Sequence, residues 1–213
     1  MFICFSGIDG AGKSTLARDL VAEMERRGIR SLYVYNRLRL VISKPALWVA
    51  RVLFLRGKDI FGDYEEYSRA RKAVFRKRLL SVAYEQLLLT DYFFQVLFKV
   101  AVPLALGRNI VCDRYVYDTV VTDLAVDMNY TQERTKRVLK LYLRVLPKPD
   151  IVFLVDVPEE VAYGRKDDVP SIDYLKERRH IYLEVGQQHG MIVLDGSKDL
   201  ASLESEILDE VFK

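Results

Sequence analysis

Residues Gly7-Ile8-Asp9-Gly10-Ala11-Gly12-Lys13-Ser14-Thr15 fit the spacing G-x-x-x-x-G-K-[S/T]. Glycines at this spacing let the backbone curl until several N–H groups point inward, a cradle for phosphate oxygens. A helix starting at Lys13 would present its positive N-terminal end to the same anion. In such a loop the lysine, Lys13, reaches the β- and γ-phosphates and the hydroxyl of Ser14 holds Mg²⁺. Gly7, Asp9, Gly10, Ala11, Gly12 and Thr15 complete a site whose implied ligands are a nucleoside triphosphate and Mg²⁺. A second group, Asp113-Arg114-Tyr115, follows the apolar run Ile110–Cys112. A carboxylate at a strand's carboxyl end could share the metal with Ser14 or activate an acceptor, and an adjacent arginine can grip a phosphate with two parallel hydrogen bonds. Lys13, Asp113 and Arg114 are therefore the catalytic candidates.

Something must bring residues a hundred positions apart together. Five short apolar runs read as strands buried on both faces: Phe2–Phe5, Ser31–Tyr35, Asn109–Cys112, Asp150–Val155 and Met191–Leu194. Helical periods lie between them, notably Lys13–Arg27, Thr131–Leu146 and Leu200–Phe212. Alternating strands and helices predict an α/β fold with a parallel sheet and right-handed crossovers. Ligands in such sheets sit at the carboxyl ends of the strands, where both groups fall.

Composition narrows the function further. The chain has 213 residues, 50% hydrophobic and 30% charged, which excludes a disordered polypeptide. That length suits one domain. Cys4 and Cys112 both lie inside apolar runs and read as buried thiols rather than a secreted disulfide framework. The apolar stretch Tyr92–Leu106 is interrupted by Gln95, Lys99 and Pro103 and is shorter than a bilayer span. A cytoplasmic phosphotransferase without a transmembrane segment is expected. The guanine-reading N-K-x-D of GTPases is absent, and the chain is short for a motor.

The chain resembles the thymidylate kinase family of P-loop nucleoside monophosphate kinases. The resemblance rests on Gly7 to Thr15 with Asp9 inside the loop, on Asp113-Arg114-Tyr115, and on Pro149-Asp150-Ile151-Val152-Phe153-Leu154-Val155-Asp156-Val157-Pro158-Glu159. It implies a five-stranded parallel sheet flanked by helices in a three-layer sandwich, one domain over 1–213, with ATP–Mg²⁺ as donor. It implies that Asp9 touches the acceptor sugar, that Arg114 and Arg37 hold the acceptor phosphate, and that basic residues of a lid over 163–180 close on the donor phosphates. Arg165 and Lys166 head that lid, which runs on to Arg178 and Arg179. A phosphate acceptor is already nucleophilic, so Asp113 belongs to the metal shell or to orientation rather than to base catalysis.

Departures from the family pattern fall on the acceptor side. Where the family continues D-R-Y-x-x-S-x-x-A-Y-Q, this chain has Asp118, and Thr122-Asp123 later. The region Leu79–Gln95, where the family reads its base with an arginine, has none; Tyr92, Phe93 or Phe94 could stack on a base and Gln95 could bond its edge. The acceptor is thus a small anion, dTMP or a related monophosphate, with a hydroxyl-bearing metabolite, or a nucleotide switch without transfer, as alternatives. Tyr92–Leu106 is a candidate homodimer face. The net charge of +3 hides a basic acceptor-side insertion over 37–78, with 12 basic and 4 acidic residues, whose partners could be an anionic acceptor, nucleic acid or an anionic membrane surface.

Overall fold

The computed structural model describes residues 1–39, 44, 69, 72, 73, 75 and 78–213. Most of the basic insertion, and with it the expectation of nucleic-acid or membrane contact there, lies outside the described residues. Five strands form one all-parallel sheet: β1 (Phe2–Ser6), β2 (Ser31–Tyr35), β3 (Asn109–Asp113), β4 (Ile151–Asp156) and β5 (Ile192–Asp195), in the order β2-β3-β1-β4-β5. The central strand β1 is flanked by β3, in register Phe5↔Asp113, and by β4, in register Ser6↔Leu154. Each of β1, β3, β4 and β5 runs one residue past its apolar run onto a polar one: Ser6, Asp113, Asp156 and Asp195. Ladder hydrogen bonds are made by backbone and do not stop where side chains change character. Those polar ends line the edge of the sheet where the site forms.

Among the described residues the α-helices are α1 (Lys13–Arg26), α2 (Arg78–Val96), α3 (Val102–Ala105), α4 (Val116–Asp118), α5 (Gln132–Val145), α6 (Glu159–Gly164), α7 (Ile172–His189) and α8 (Leu200–Val211). Helix α1 packs on β1, β2 and β3 and carries α8, while α7 packs on β4. Side-chain oxygens of Thr131, Ser171 and Asp199 cap α5, α7 and α8 by accepting the N–H of Arg134, Tyr174 and Ser202.

Pro103 does not interrupt the apolar stretch as expected. The chain passes from α2 through a π turn, Leu97–Ala101, into α3, and Pro103 falls in the first turn of α3, where its missing N–H goes unneeded. Among the described residues one helix, Leu79–Ala105, is consequently long and apolar enough to cross a membrane by length and composition. Its Leu88, Tyr92, Val96 and Val100 are fully buried against the core. Phe94, Phe98 and Val102, spaced by four, are exposed on another side.

Candidate active site

β1 delivers the chain into the glycine-rich loop, and α1 leaves it. At Gly7, φ is +140° and a Cβ would collide with the carbonyl oxygen of Val155 in β4. Gly10, at φ +86°, lies so close to the Ala162 carbonyl of α6 that a side chain there would not fit. Lys13 is buried and donates to the Ile8 carbonyl at 2.6 Å. Burial, then the Arg114 charge, lowers its pKa to about 7, against the opposing pull of Asp118, Asp9 and Asp113. Thr15 is exposed on the first turn of α1.

At the end of β3, Asp113 is fully buried. Its Oδ2 accepts from the Ser14 hydroxyl at 2.5 Å and from the Tyr33 hydroxyl at 2.8 Å. Burial, then the hydrogen bond to Asp113, pushes the Tyr33 phenol to about 12. Asp113 Oδ1 is buried without a partner among the described residues. An orphaned carboxylate oxygen beside a hydroxyl suits Mg²⁺, which takes one or two protein oxygens and fills its shell with water and phosphate. Ser14 and Asp113 therefore fit the metal. With Oδ2 already doubly engaged, Asp113 is poorly placed as a base for a hydroxyl acceptor.

Arg114 adopts a positive φ of 72°, uncommon for a residue with a Cβ. The turn is held by the Arg114 N–H donating to Phe5 O at 3.0 Å. Its side chain is buried and ion-paired to Asp9 through Nη2, with Asp118 Oδ1 3.5 Å from Nη1. Burial opposes the Arg114 charge, but Asp9 and then Asp118 outweigh it and raise its pKa. Burial would likewise raise the Asp9 carboxyl, yet Arg114, then Lys13 and Arg37, hold it at about 2. Half-buried Arg37 keeps a raised pKa against its own burial mainly through Asp9. The structure thus brings Asp9, Lys13, Arg37 and Arg114 into one electrostatic cluster.

Three expectations change. Tyr92 offers no face to a base: it is fully buried, packed on Tyr115 and Tyr142, and its hydroxyl accepts from Asn36 Nδ2 at 3.0 Å. Gln95 does not present its amide to a ligand. It donates to Asn36 Oδ1 at 2.8 Å and Arg37 O at 2.9 Å, and accepts from Arg39 N at 3.0 Å, so it pins the loop that carries Arg37. Arg179 is no free lid cation, being clamped on Asp156 at 2.7 and 2.9 Å and on Glu159 at 3.0 Å. Phe93 is partly exposed, edge-to-face with Phe94. Arg165 follows α6 and donates to Gly196 O at 3.3 Å. The residues 172–180 of the expected lid form the first half of α7, where Arg178 is buried with its guanidinium 3.5 Å from the Tyr174 ring centroid. Lys72, from the basic insertion, pairs with Glu177 of α7 at 3.0 Å.

Four residues carry weight that the sequence did not assign to them: Ser6, Tyr33, Asp118 and Tyr182. Asp118 Oδ2 accepts from Ser6 at 2.6 Å and from the Tyr115 N–H at 3.0 Å, and Oδ1 accepts from Tyr182 at 2.9 Å. No local spacing marked Asp118, whose side-chain partners Ser6 and Tyr182 lie 112 and 64 residues away.

Comparison with known proteins decides the family. A family model described as thymidylate kinase matches residues 68–207, well over half of the chain. The chain belongs to the thymidylate kinase family. A probable thymidylate kinase of Methanocaldococcus jannaschii is 29% identical over 203 residues, covering 93% of this chain and 88% of that one. A probable thymidylate kinase of Archaeoglobus fulgidus is 26% identical, over 97% and 92% of the two chains. A thymidylate kinase of Mycoplasmopsis agalactiae is 26% identical over 232 residues, covering 100% of this chain and 95% of its own.

Proposed function

We propose that the protein is a nucleoside monophosphate kinase that transfers the γ-phosphoryl group of ATP to dTMP, giving dTDP and ADP. The observation that carries this reading is the buried Asp9–Arg114 pair, whose charges act on both Lys13 and Arg37. Two guanidinium groups at one place match a dianionic acceptor, and Asp9 can receive the acceptor's sugar hydroxyl. Phosphoryl transfer needs alignment and charge neutralisation more than covalent help. Lys13 holds the donor's β- and γ-phosphates and, with Arg165, would offset the charge of the moving group. Ser14 and Asp113 would hold Mg²⁺, which when bound supplies positive charge to the donor phosphates. Arg114, fixed from both sides by carboxylates, holds the acceptor phosphate without reorganising, and Arg37 completes the grip.

One domain, a lid over 163–180 that carries Arg165, and a homodimer formed through Phe94, Phe98 and Val102 belong to the same proposal. So does a cytoplasmic setting, which the free buried thiols Cys4 and Cys112 support. Arg114→Lys and Arg37→Ala test the acceptor grip. Each is expected to raise KM for dTMP by about tenfold or more, the scale of one lost charge-assisted hydrogen bond, with KM for ATP nearly unchanged. Equal losses for both substrates would count against it.

A further inference from the structure

At the amino-terminal end of the sheet, α5, the start of β4 and the end of α7 enclose a groove of about 470 Å³. One side of it is a row of cations. Lys136, Lys140 and Arg144 are spaced by four along α5, and Lys148 continues the spacing beyond it. With a rise of about 1.5 Å per residue, Lys136, Lys140 and Arg144 stand about 6 Å apart on one helical face, and Lys148, past the end of the helix, lines the same groove. All four side chains are exposed, and none makes an ion pair among the described residues. Glu133 is the sole acid on α5. Like charges four residues apart on a helix repel and destabilise it. A merely solvated face would interleave acids, as this one does not. The one acid lining the groove is Asp150, whose Oδ2 is engaged with the N–H of Phe2 at 2.7 Å.

The groove also holds Tyr117 and His189, in edge-to-face contact at 5.5 Å. His189 Nε2 is buried with no hydrogen-bond partner among the described residues. Burial, then the Lys136 charge, keeps this imidazole below its ordinary pKa. A row of four cations, an aromatic pair and an unmet polar nitrogen thus share one concavity, whose volume falls in the range of about 300–1,000 Å³ usual for small-molecule sites.

We propose that this groove is a second ligand site, distinct from the reaction centre, for a small molecule bearing a chain of phosphates, of the nucleoside triphosphate class. The phosphates lie along the row Lys136–Lys140–Arg144–Lys148, and the remainder of the ligand meets Tyr117 and His189. The two sites sit at opposite ends of the strands. At about 3.3 Å per residue, a strand the length of β4 separates them by about 20 Å. A concave pocket with a half-buried imidazole favours a small molecule over a nucleic-acid strand, which needs an open track.

The chain has two histidines, and the other, His180, is exposed on the same helix and lines a different cavity. Proton NMR of the full chain therefore contains its own reference, with His189→Gln assigning the signals. Inorganic tripolyphosphate and ATP–Mg²⁺ are titrated separately. The expected result is a saturable shift of the His189 resonance with His180 unmoved. Equal affinity for the two probes means that the phosphate chain alone is recognised; tighter ATP means that base or sugar contributes. Lys140→Glu/Arg144→Glu is expected to weaken the response by about tenfold or more, and Lys136→Ala, a milder change at an exposed position, by less. A His189 signal that stays still at millimolar probe, or equal affinity in the double variant, would overturn the proposal. Tighter binding of a single-stranded oligonucleotide than of tripolyphosphate would overturn it in favour of nucleic-acid docking.

Discussion

Asp118→Asn is the substitution on which the buried network turns. Asp118 is 3% exposed and accepts through both oxygens. Oδ2 faces the Ser6 hydroxyl and the Tyr115 N–H; Oδ1 faces the Tyr182 hydroxyl and Arg114. Hydroxyls can turn round and accept, but a peptide N–H and a guanidinium cannot. Whichever way the substituted amide points, its NH₂ meets one of those two fixed donors, and Arg114 loses one of its two counter-charges. A buried donor left unpaired costs about 1–3 kcal/mol, and a broken buried ion pair costs about 3–5 kcal/mol. The 3.5 Å separation from Arg114 places the total at the lower end, about 2–4 kcal/mol. For a chain of this length that is a fall in Tm of about 4–16 °C. Urea unfolding at neutral pH gives the free energy, and steady-state kinetics give the second signature: a raised KM for dTMP, with KM for ATP little changed, because the disturbed group is Arg114 and not the loop of Lys13. A loss below about 0.5 kcal/mol, the usual size for an inconsequential surface change, together with an unchanged KM for dTMP, would refute the claim that Asp118 positions Arg114.

Two further outcomes follow from the same geometry. Asp9 has its folded pKa depressed from 3.8 to about 2. Its contribution is therefore fully present above about pH 4 and is lost as pH falls through about 2, and it amounts to about 2 kcal/mol. The stability gap between the native chain and Asp9→Asn should narrow as urea midpoints are followed downward across that window; a gap independent of pH would contradict it. Gln95→Ala frees the Asn36–Arg39 loop from α2. It should raise KM for dTMP several-fold while leaving ATP binding intact, and an unchanged KM would show that Arg37 is held by other means.

Much of the donor half was legible because its residues are contiguous. Nine consecutive positions specify the loop, and the turn conformations at Gly7 and Gly10 demand glycine locally. The strands were legible as apolar runs, though their last residues were not. Ser6, Asp113, Asp156 and Asp195 are held by backbone ladders while their side chains serve the site or its rim. Tyr92 was misjudged although the clue was present: Leu88, Tyr92 and Val96 repeat at four, the period of a face turned to the core. Gln95 and Asp118 were beyond reach for a different reason. Their meaning lies in partners 59 and 64 residues away, Asn36 and Tyr182. Local spacing carries no record of which distant polar group will close a buried hydrogen bond. The surroundings of Arg114 are built from such long-range pairs, and the glycine-rich loop from a local motif.

The central claim is that the cluster of Asp9, Arg37 and Arg114 receives a phosphate-bearing acceptor. The most direct test measures ADP release from ATP–Mg²⁺ with dTMP and with thymidine in parallel, using Lys13→Ala as the control. The account predicts turnover of dTMP to dTDP, no comparable turnover of thymidine, and loss of activity in Lys13→Ala. Thymidine turned over as fast as dTMP, or no product from either above the water background, would contradict it.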